Sequence, residues 1–452
     1  MLFRSYGYEY PWAKCDQITI PGIGGGAECT SATLLGHSTI HDDKAEKDFP
    51  SHWLVAHEAA HQWWGDLITL RDWSQTWINE SFGTYSEVIF ALHDKGEDEA
   101  AINILNKKNI YLREAHSRYM RPIVFDRWET PGQNFDRHTY QKGAAVIHML
   151  KWILGEKPFH KTTSHFLHKH AFQSADTHDF LTSIKEATGQ NLDWFFEQWL
   201  FKPGHPVFDV NYTWDSKTKR LKIKIDQTQD ISKGVPIFRT PVILGIVTSE
   251  GKSSAKVWLE KKSEIFELRC SHKPLMIRFD EGNYLLKEWT FNKSLDELVY
   301  QLKNDDTIGR MWAASELLKF KDHHMAISNL IECAKNDKFW AVRKEAVETL
   351  GKIQEKDHID FFKEKCKDKN SKVRTAAVKA LGDYKGAKLI EFFKKIFKKE
   401  DSYLAQAESL RSIGKCGDKT LIPFLKEAMN INAPRNIIKT SAKWAIEQIN
   451  KR

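Results

Sequence analysis

The stretch WLVAHEAAHQWWGDL, residues 53–67, contains the pattern H-E-x-x-H. On a helix, residues four apart lie one above the other, so His57 and His61 present their imidazoles to one point with Glu58 beside them. That spacing offers two nitrogen donors to a zinc ion and a carboxylate base. Alone, the same five residues also fit a surface helix with scattered charge. A third ligand decides between the two, because a catalytic zinc needs three protein ligands and one open position.

Glu80 is expected to supply it. It lies nineteen residues after His61 in Trp77-Ile78-Asn79-Glu80-Ser81-Phe82-Gly83, which opens a second helical pattern, and the gap suits a helix, a turn and a returning helix. One zinc ion held by His57, His61 and Glu80 makes hydroxide available at neutral pH, with Glu58 accepting the water proton and passing it to a leaving amine. Asp66, Asp72 and Glu87 either orient the ligand histidines or cap helices and meet solvent. Trp53, Trp63, Trp64, Trp73 and Trp77 fit a core better than a pocket.

Outward from this stretch, 452 residues allow about three domains. The net charge of +8 sits within a 28% charged fraction of both signs, which reads first as a solvated surface. Lysine is abundant in the last third, but interspersed acids and sparse aromatics argue against nucleic-acid binding. Six cysteines stand singly, with neither a C-x-x-C pair nor a dense framework. Neither an eighteen-residue apolar run nor a secretory leader is evident, so no membrane association is expected and a cytoplasmic location is.

Periodicity changes near residues 205 and 295. Helical patterns run from Ser51 to Leu200 and end in the turn Lys202-Pro203-Gly204-His205-Pro206. Then Phe208, Val210 and Tyr212, and Leu221, Ile223 and Ile225, alternate with polar residues as antiparallel strands do. With apolar runs at Val242–Val247, Ala255–Leu259 and Leu275–Phe279 they predict a small antiparallel β-sandwich. Beyond 295, aligning Arg310, Arg343, Arg374, Gln406 and Lys439 brings Ala313, Ala346, Ala377, Ser409 and Ala442 into register. That repeat predicts a solenoid of about five helical hairpins of HEAT type, a surface suited to a protein partner or a brace for its neighbour. The expected domains are 1–205, 206–294 and 295–452, in a multidomain α+β chain.

H-E-x-x-H followed by N-E-x-F at this spacing resembles the gluzincin aminopeptidases of the aminopeptidase N and leukotriene hydrolase type. Tyr10-Pro11-Trp12-Ala13-Lys14-Cys15-Asp16 is similar to that family's Y-P-x-x-K-x-D, and Tyr140-Gln141-Lys142-Gly143 to its Y-x-K-G. The resemblance implies a thermolysin-like, mostly helical catalytic domain and Tyr140 as hydrogen-bond donor to the tetrahedral intermediate. It equates Gly25-Gly26-Ala27-Glu28-Cys29 with the family's G-x-M-E-N edge, whose Glu binds the substrate's free α-amino group. Glu28 would then select peptides with a free N-terminus, with Gly25, Gly26 and Ala27 along the substrate. Ala27 and Cys29 replace the usual Met and Asn, which bears on substrate range. The family's N-terminal β-domain has no counterpart here, so the catalytic domain is expected to be N-terminally incomplete, and the chain to be a fragment, the second product of a split gene, or a protein that works with that domain as a separate partner. The resulting expectation is a zinc aminopeptidase. The alternatives are an impaired fragment or scaffold binding proteins through its repeats, and an epoxide hydrolase sharing the zinc apparatus.

Overall fold

The computed structural model describes residues 2–452; Met1, which opens the first expected domain, lies outside the described residues. The chain folds as two compact units, one of Met1–Gly36 with His52–Lys293, the other of His37–Ser51 with Ser294–Arg452.

Helix α1 (Leu2–Tyr6) leads into a small sheet of β1 (Asp16–Ile20), β2 (Gly26–Ala27) and β3 (Ala32–Gly36), ordered β1-β3-β2. β1 and β3 run parallel, and β2 pairs antiparallel along the free side of β3, Ala27 opposite Leu34. After α2 (Asp43–Asp48), which belongs to the second unit, come α3 (His52–His61), β4 (Ile68–Leu70), α4 (Trp77–Lys95) and α5 (Glu97–Ser117). Gly96 separates α4 from α5 at φ 87°, a conformation that costs glycine little. Then follow α6 (Gly143–Leu154), α7 (Glu156–Lys169), β5 (Gln173–Ala175), α8 (Thr177–Thr188) and α9 (Asp193–Trp199). Asp176 and Asp179 form a capping box at the start of α8, and Gly189 ends it in the left-handed region.

Aromatic stacking holds these helices together. Trp64, just past α3, is fully buried and stacks on Phe82 of α4 at 3.6 Å between centroids. Phe166 of α7 and Phe180 of α8 complete the cluster. Trp63 and Trp77 are buried too, Trp53 is half-buried, and Trp73 is exposed.

The strands that follow are β6 (Val207–Asp215), β7 (Arg220–Gln227), β8 (Thr240–Thr248), β9 (Gly251–Leu259), β10 (Ser263–Arg269), β11 (Met276–Phe279) and β12 (Glu288–Phe291). They form sheets ordered β10-β7-β6-β12 and β11-β8-β9. Phe208, Val210, Leu221, Ile223 and Ile225 are all buried, as their alternation predicts, and Phe208 meets Phe279 of the other sheet. One pairing departs from the antiparallel expectation: β12 runs parallel to β6, with Glu288 opposite Val207. A strand of four residues carries too short a pattern for its direction to be read from sequence.

The second unit stacks five helix pairs. They are α10 (Leu295–Asn304) with α11 (Thr307–Glu316), α12 (His324–Asn336) with α13 (Trp340–Ile353), α14 (Ile359–Lys365) with α15 (Ser371–Asp383), α16 (Ile390–Lys399) with α17 (Tyr403–Cys416), and α18 (Ile422–Ala428) with α19 (Ile437–Asn450). The aligned positions Ala313, Ala346, Ala377, Ser409 and Ala442 are all fully buried, because a small residue there lets successive helices approach. The aligned arginines form a ladder: Arg310 bonds Asp337, Arg343 bonds Asp368 and Arg374 bonds Glu400, each through two guanidinium nitrogens. At the next step Gln406 accepts from Lys44 of α2. There the buried Asp48 takes the Ser402 hydroxyl and the Leu404 N–H, and the Tyr403 hydroxyl donates to Asp42. The segment between β3 and the H-E-x-x-H helix is thus folded onto the fourth repeat.

Candidate metal centre

Helix α3 places His57 and His61 one turn apart with ring centroids 4.9 Å from each other, and Glu80 enters from the first turn of α4. One carboxylate oxygen of Glu80 lies 3.2 Å from Nε2 of His57 and 3.4 Å from Nε2 of His61. A tetrahedral zinc spaces its donor atoms about 3.3 Å apart, so this triangle already has the size the ion requires. All three side chains are buried. Gly83, one turn after Glu80, lets the rings approach: a Cβ there would stand 3.0 Å from Nε2 of His57 and 3.1 Å from Cε1 of His61.

The other nitrogen of each ring is also engaged. Nδ1 of His57 lies 3.2 Å from Glu87, whose second oxygen accepts from Lys107 at 2.7 Å, and Nδ1 of His61 donates to the Trp64 carbonyl at 2.8 Å. Such contacts fix ring orientation and leave Nε2 as the lone-pair donor. Of the carboxylates considered for this duty, Glu87 reaches a ligand histidine, whereas Asp72 caps the turn at Ser74. The Asp66 carboxyl is pushed up to about 6 by burial, against the pull of His61. The Trp64 carbonyl carries no side-chain signal and cannot be found from sequence. Lys107 is buried next to Lys108 in α5, and its contact with Glu87 is what marks it out.

In the metal-free chain Glu80 is held well below the usual carboxylate range; burial opposes this, but the two imidazoles outweigh it. Conversely, burial lowers the His57 imidazole while Glu80 and Glu87 raise it further, to about 10. His61 moves up for the same reason. Both imidazoles must be free of such protons at Nε2 to bind an ion, so metal uptake and proton release are coupled here.

Glu58 stands beside this triad. Burial pushes its carboxyl up to about 7, His57 and His61 oppose that, and Glu28 and Glu80 add to it. Its side chain lies against Gly26 of β2: a Cβ at that glycine would stand 2.5 Å from the Glu58 carboxyl carbon. Glu28 follows β2 directly, half-buried, and shares with Gly24, Gly25, Gly26, Leu54, His57, Glu58, His61, Glu80, Glu87 and Tyr140 a cavity of about 390 Å³. Ala27 is the last residue of the edge strand and does not line it.

Tyr140 enters from a π-helical turn, His138–Lys142, ahead of α6. Its ring is parallel to that of His57 at 6.0 Å, and burial, then the charge of Glu80, drive its hydroxyl pKa upward, so it stays a proton donor. The turn packs against α4: Ser81 donates to the Thr139 carbonyl at 2.6 Å, and a Cβ on Gly143 would overlap the Ser81 hydroxyl. That contact explains the glycine of Y-x-K-G. Every site residue expected from sequence except Ala27 thus borders one cavity.

Comparison with known proteins adds an independent line. Residues 2–199 match the Peptidase family M1 domain and residues 327–414 match HEAT repeats. Aminopeptidase 2 of Candida albicans is 27% identical over 288 residues, covering 62% of this chain and 31% of that protein. Probable aminopeptidase 1 of Sulfurisphaera tokodaii is 32% identical over 222 residues, covering 47% of this chain and 28% of that protein. This chain spans about three tenths of the length of the first curated relatives it matches. The crystal structure of Legionella pneumophila aminopeptidase A in complex with aspartic acid superposes with TM-score 0.73 at 15% identity, covering 100% of this chain and 63% of that one, a likeness of fold. Among the described residues no helix is long and apolar enough to cross a membrane.

Proposed function

We propose that this chain, whose residues 2–199 match the Peptidase family M1 domain, is a zinc aminopeptidase that hydrolyses the first peptide bond of peptides with a free N-terminus. One observation carries the reading: two imidazoles and a carboxylate at zinc spacing, with a base and a phenol on the same cavity. In this reading residues 1–205 are a thermolysin-like catalytic domain, 206–294 a β-sandwich and 295–452 a HEAT-type solenoid. His57, His61 and Glu80 would hold one zinc ion, which when bound supplies Lewis acidity and makes hydroxide available near neutral pH.

The chain's own residues do the rest. Glu58 takes the proton of the attacking water and delivers it to the leaving amine; its raised pKa suits both transfers. Tyr140, kept protonated, donates to the oxygen that becomes negative in the tetrahedral species and stabilises it more than the ground-state carbonyl. Glu28 binds the substrate ammonium at a fixed distance from the reacting carbon, which restricts cleavage to the first bond. Gly25, Gly26 and Ala27 offer backbone along that edge, and the Ala27 methyl leaves more room for the first side chain than methionine would.

The repeats supply a surface suited to a protein partner. The isolated free cysteines support a cytoplasmic setting. A scaffold without catalysis would have no use for the ring orientation by Glu87 and Trp64. The test is hydrolysis of leucyl reporters with free and acetylated amines. Wild type should cleave only the free form, and Glu28→Gln should raise KM for it at least tenfold; equal cleavage of both forms would refute the assignment.

A further inference from the structure

A second group of donors lies outside the cavity. His116 stands in the last turn of α5, His205 sits in the Pro203-Gly204-His205-Pro206 turn, and Glu288 opens β12. Their ligand atoms all lie within 4.8 Å of one another. Nε2 of His205 is 2.7 Å from a Glu288 carboxylate oxygen, and Nε2 of His116 is 3.0 Å from both oxygens. We propose that His116, His205 and Glu288 form a second zinc site, structural in role, that ties the end of α5 to the turn and strand beside it.

Three features carry this beyond a hydrogen-bonded joint. The backbone builds it: β12 pairs with β6 so that Glu288 faces Val207, and the Glu288 N–H bonds the Pro206 carbonyl, which fixes Glu288 beside His205. His205 is oriented from behind, with its side chain 4% exposed and Nδ1 3.2 Å from the hydroxyl of the fully buried Tyr111. That leaves Nε2 facing outward, the arrangement by which outer contacts aim ligand histidines. The third donor lies on the solvent side: the His116 side chain is 64% exposed, gives an ion its way in, and stands in the last turn of a helix, whose dipole favours positive charge.

Two imidazoles and one carboxylate suit zinc or another first-row divalent ion rather than calcium or magnesium. Donor separations of 2.7–3.0 Å must open by about 0.3–0.6 Å to reach tetrahedral spacing, which the exposed His116 permits.

The experiment is zinc stoichiometry of the whole chain, dialysed against micromolar free zinc, with melting temperature as second readout. Wild type should hold two equivalents, His116→Ala and Glu288→Gln one each, and Glu80→Gln one. Free zinc should raise the melting temperature of Glu80→Gln but not of Glu80→Gln/His116→Ala, while His116→Ala alone keeps wild-type hydrolysis. A wild-type zinc content that neither His116→Ala nor Glu288→Gln lowers would overturn the proposal.

Discussion

Replacing Gly26 by alanine should disable the base without touching the metal ligands. The new Cβ would stand 2.5 Å from Cδ and Oε1 of Glu58 and 2.6 Å from its Cγ, where ordinary contact begins at 3.4 Å. Strand β2 cannot retreat freely, since Gly26 and Ala27 pair with Leu35 and Leu34. The Glu58 carboxylate must therefore move by nearly the whole shortfall, about 0.9 Å, and misplacement on the order of 1 Å costs roughly 100-fold in rate. That corresponds to about 2.7 kcal/mol of barrier. The backbone at Gly26 is ordinary extended strand, so alanine adds a steric effect alone. Steady-state hydrolysis of an aminoacyl reporter should show the loss in kcat, with zinc content unchanged because the three atoms nearest the new methyl all belong to Glu58. Activity within threefold of wild type would refute the claim that Gly26 sets the position of Glu58.

Three further outcomes follow from the same geometry. Removing the outer partner of His57 by Glu87→Ala should weaken zinc binding roughly 10–100-fold, measured by competition with a chelating dye; unchanged affinity would show that Glu87 does not orient the ring. Zinc uptake by the metal-free chain should release protons, since His57 and His61 titrate above their ordinary value, His57 at about 10, and must be neutral to bind. Apparent affinity should climb roughly tenfold per pH unit for each displaced proton, from neutral pH toward that value, and a flat profile by calorimetry in two buffers would contradict it. In the repeat ladder, Arg343→Ala leaves the buried Asp368 carboxylate unpaired and should cost about 3–5 kcal/mol, read from chemical denaturation, with Arg343→Met/Asp368→Asn recovering part of it.

The parts of this molecule legible in sequence are those set by local periodicity. Helical spacing alone puts His57 over His61, and the returning helix brings Glu80 within 3.2 Å and 3.4 Å of them. The recurrence of Arg310, Arg343 and Arg374 anticipates a stacked array, although not that each guanidinium bonds an acid at the end of the following repeat's first helix. What stays hidden is set by contacts between distant segments. Nothing in the residues around Asp48 announces that its carboxylate meets Ser402, or that Lys44 meets Gln406. Strand β10 escapes notice because none of its residues is fully buried, so its mixture of Glu, Ile and Phe lacks a clear inward face. Gly26, Gly83 and Gly143 are needed for what presses against them, Glu58, the two imidazoles and Ser81, and only coordinates reveal such neighbours.

The central claim is that Glu58 works on water beside an ion held by His57, His61 and Glu80. The most direct measurement compares the zinc-loaded chain with its Glu58→Gln variant on a panel of aminoacyl reporters, determining zinc content of both. The account predicts the same zinc content and a loss of turnover of at least 1,000-fold in Glu58→Gln, about 4 kcal/mol of barrier. Equal turnover in the two proteins, with zinc present in both, would contradict it.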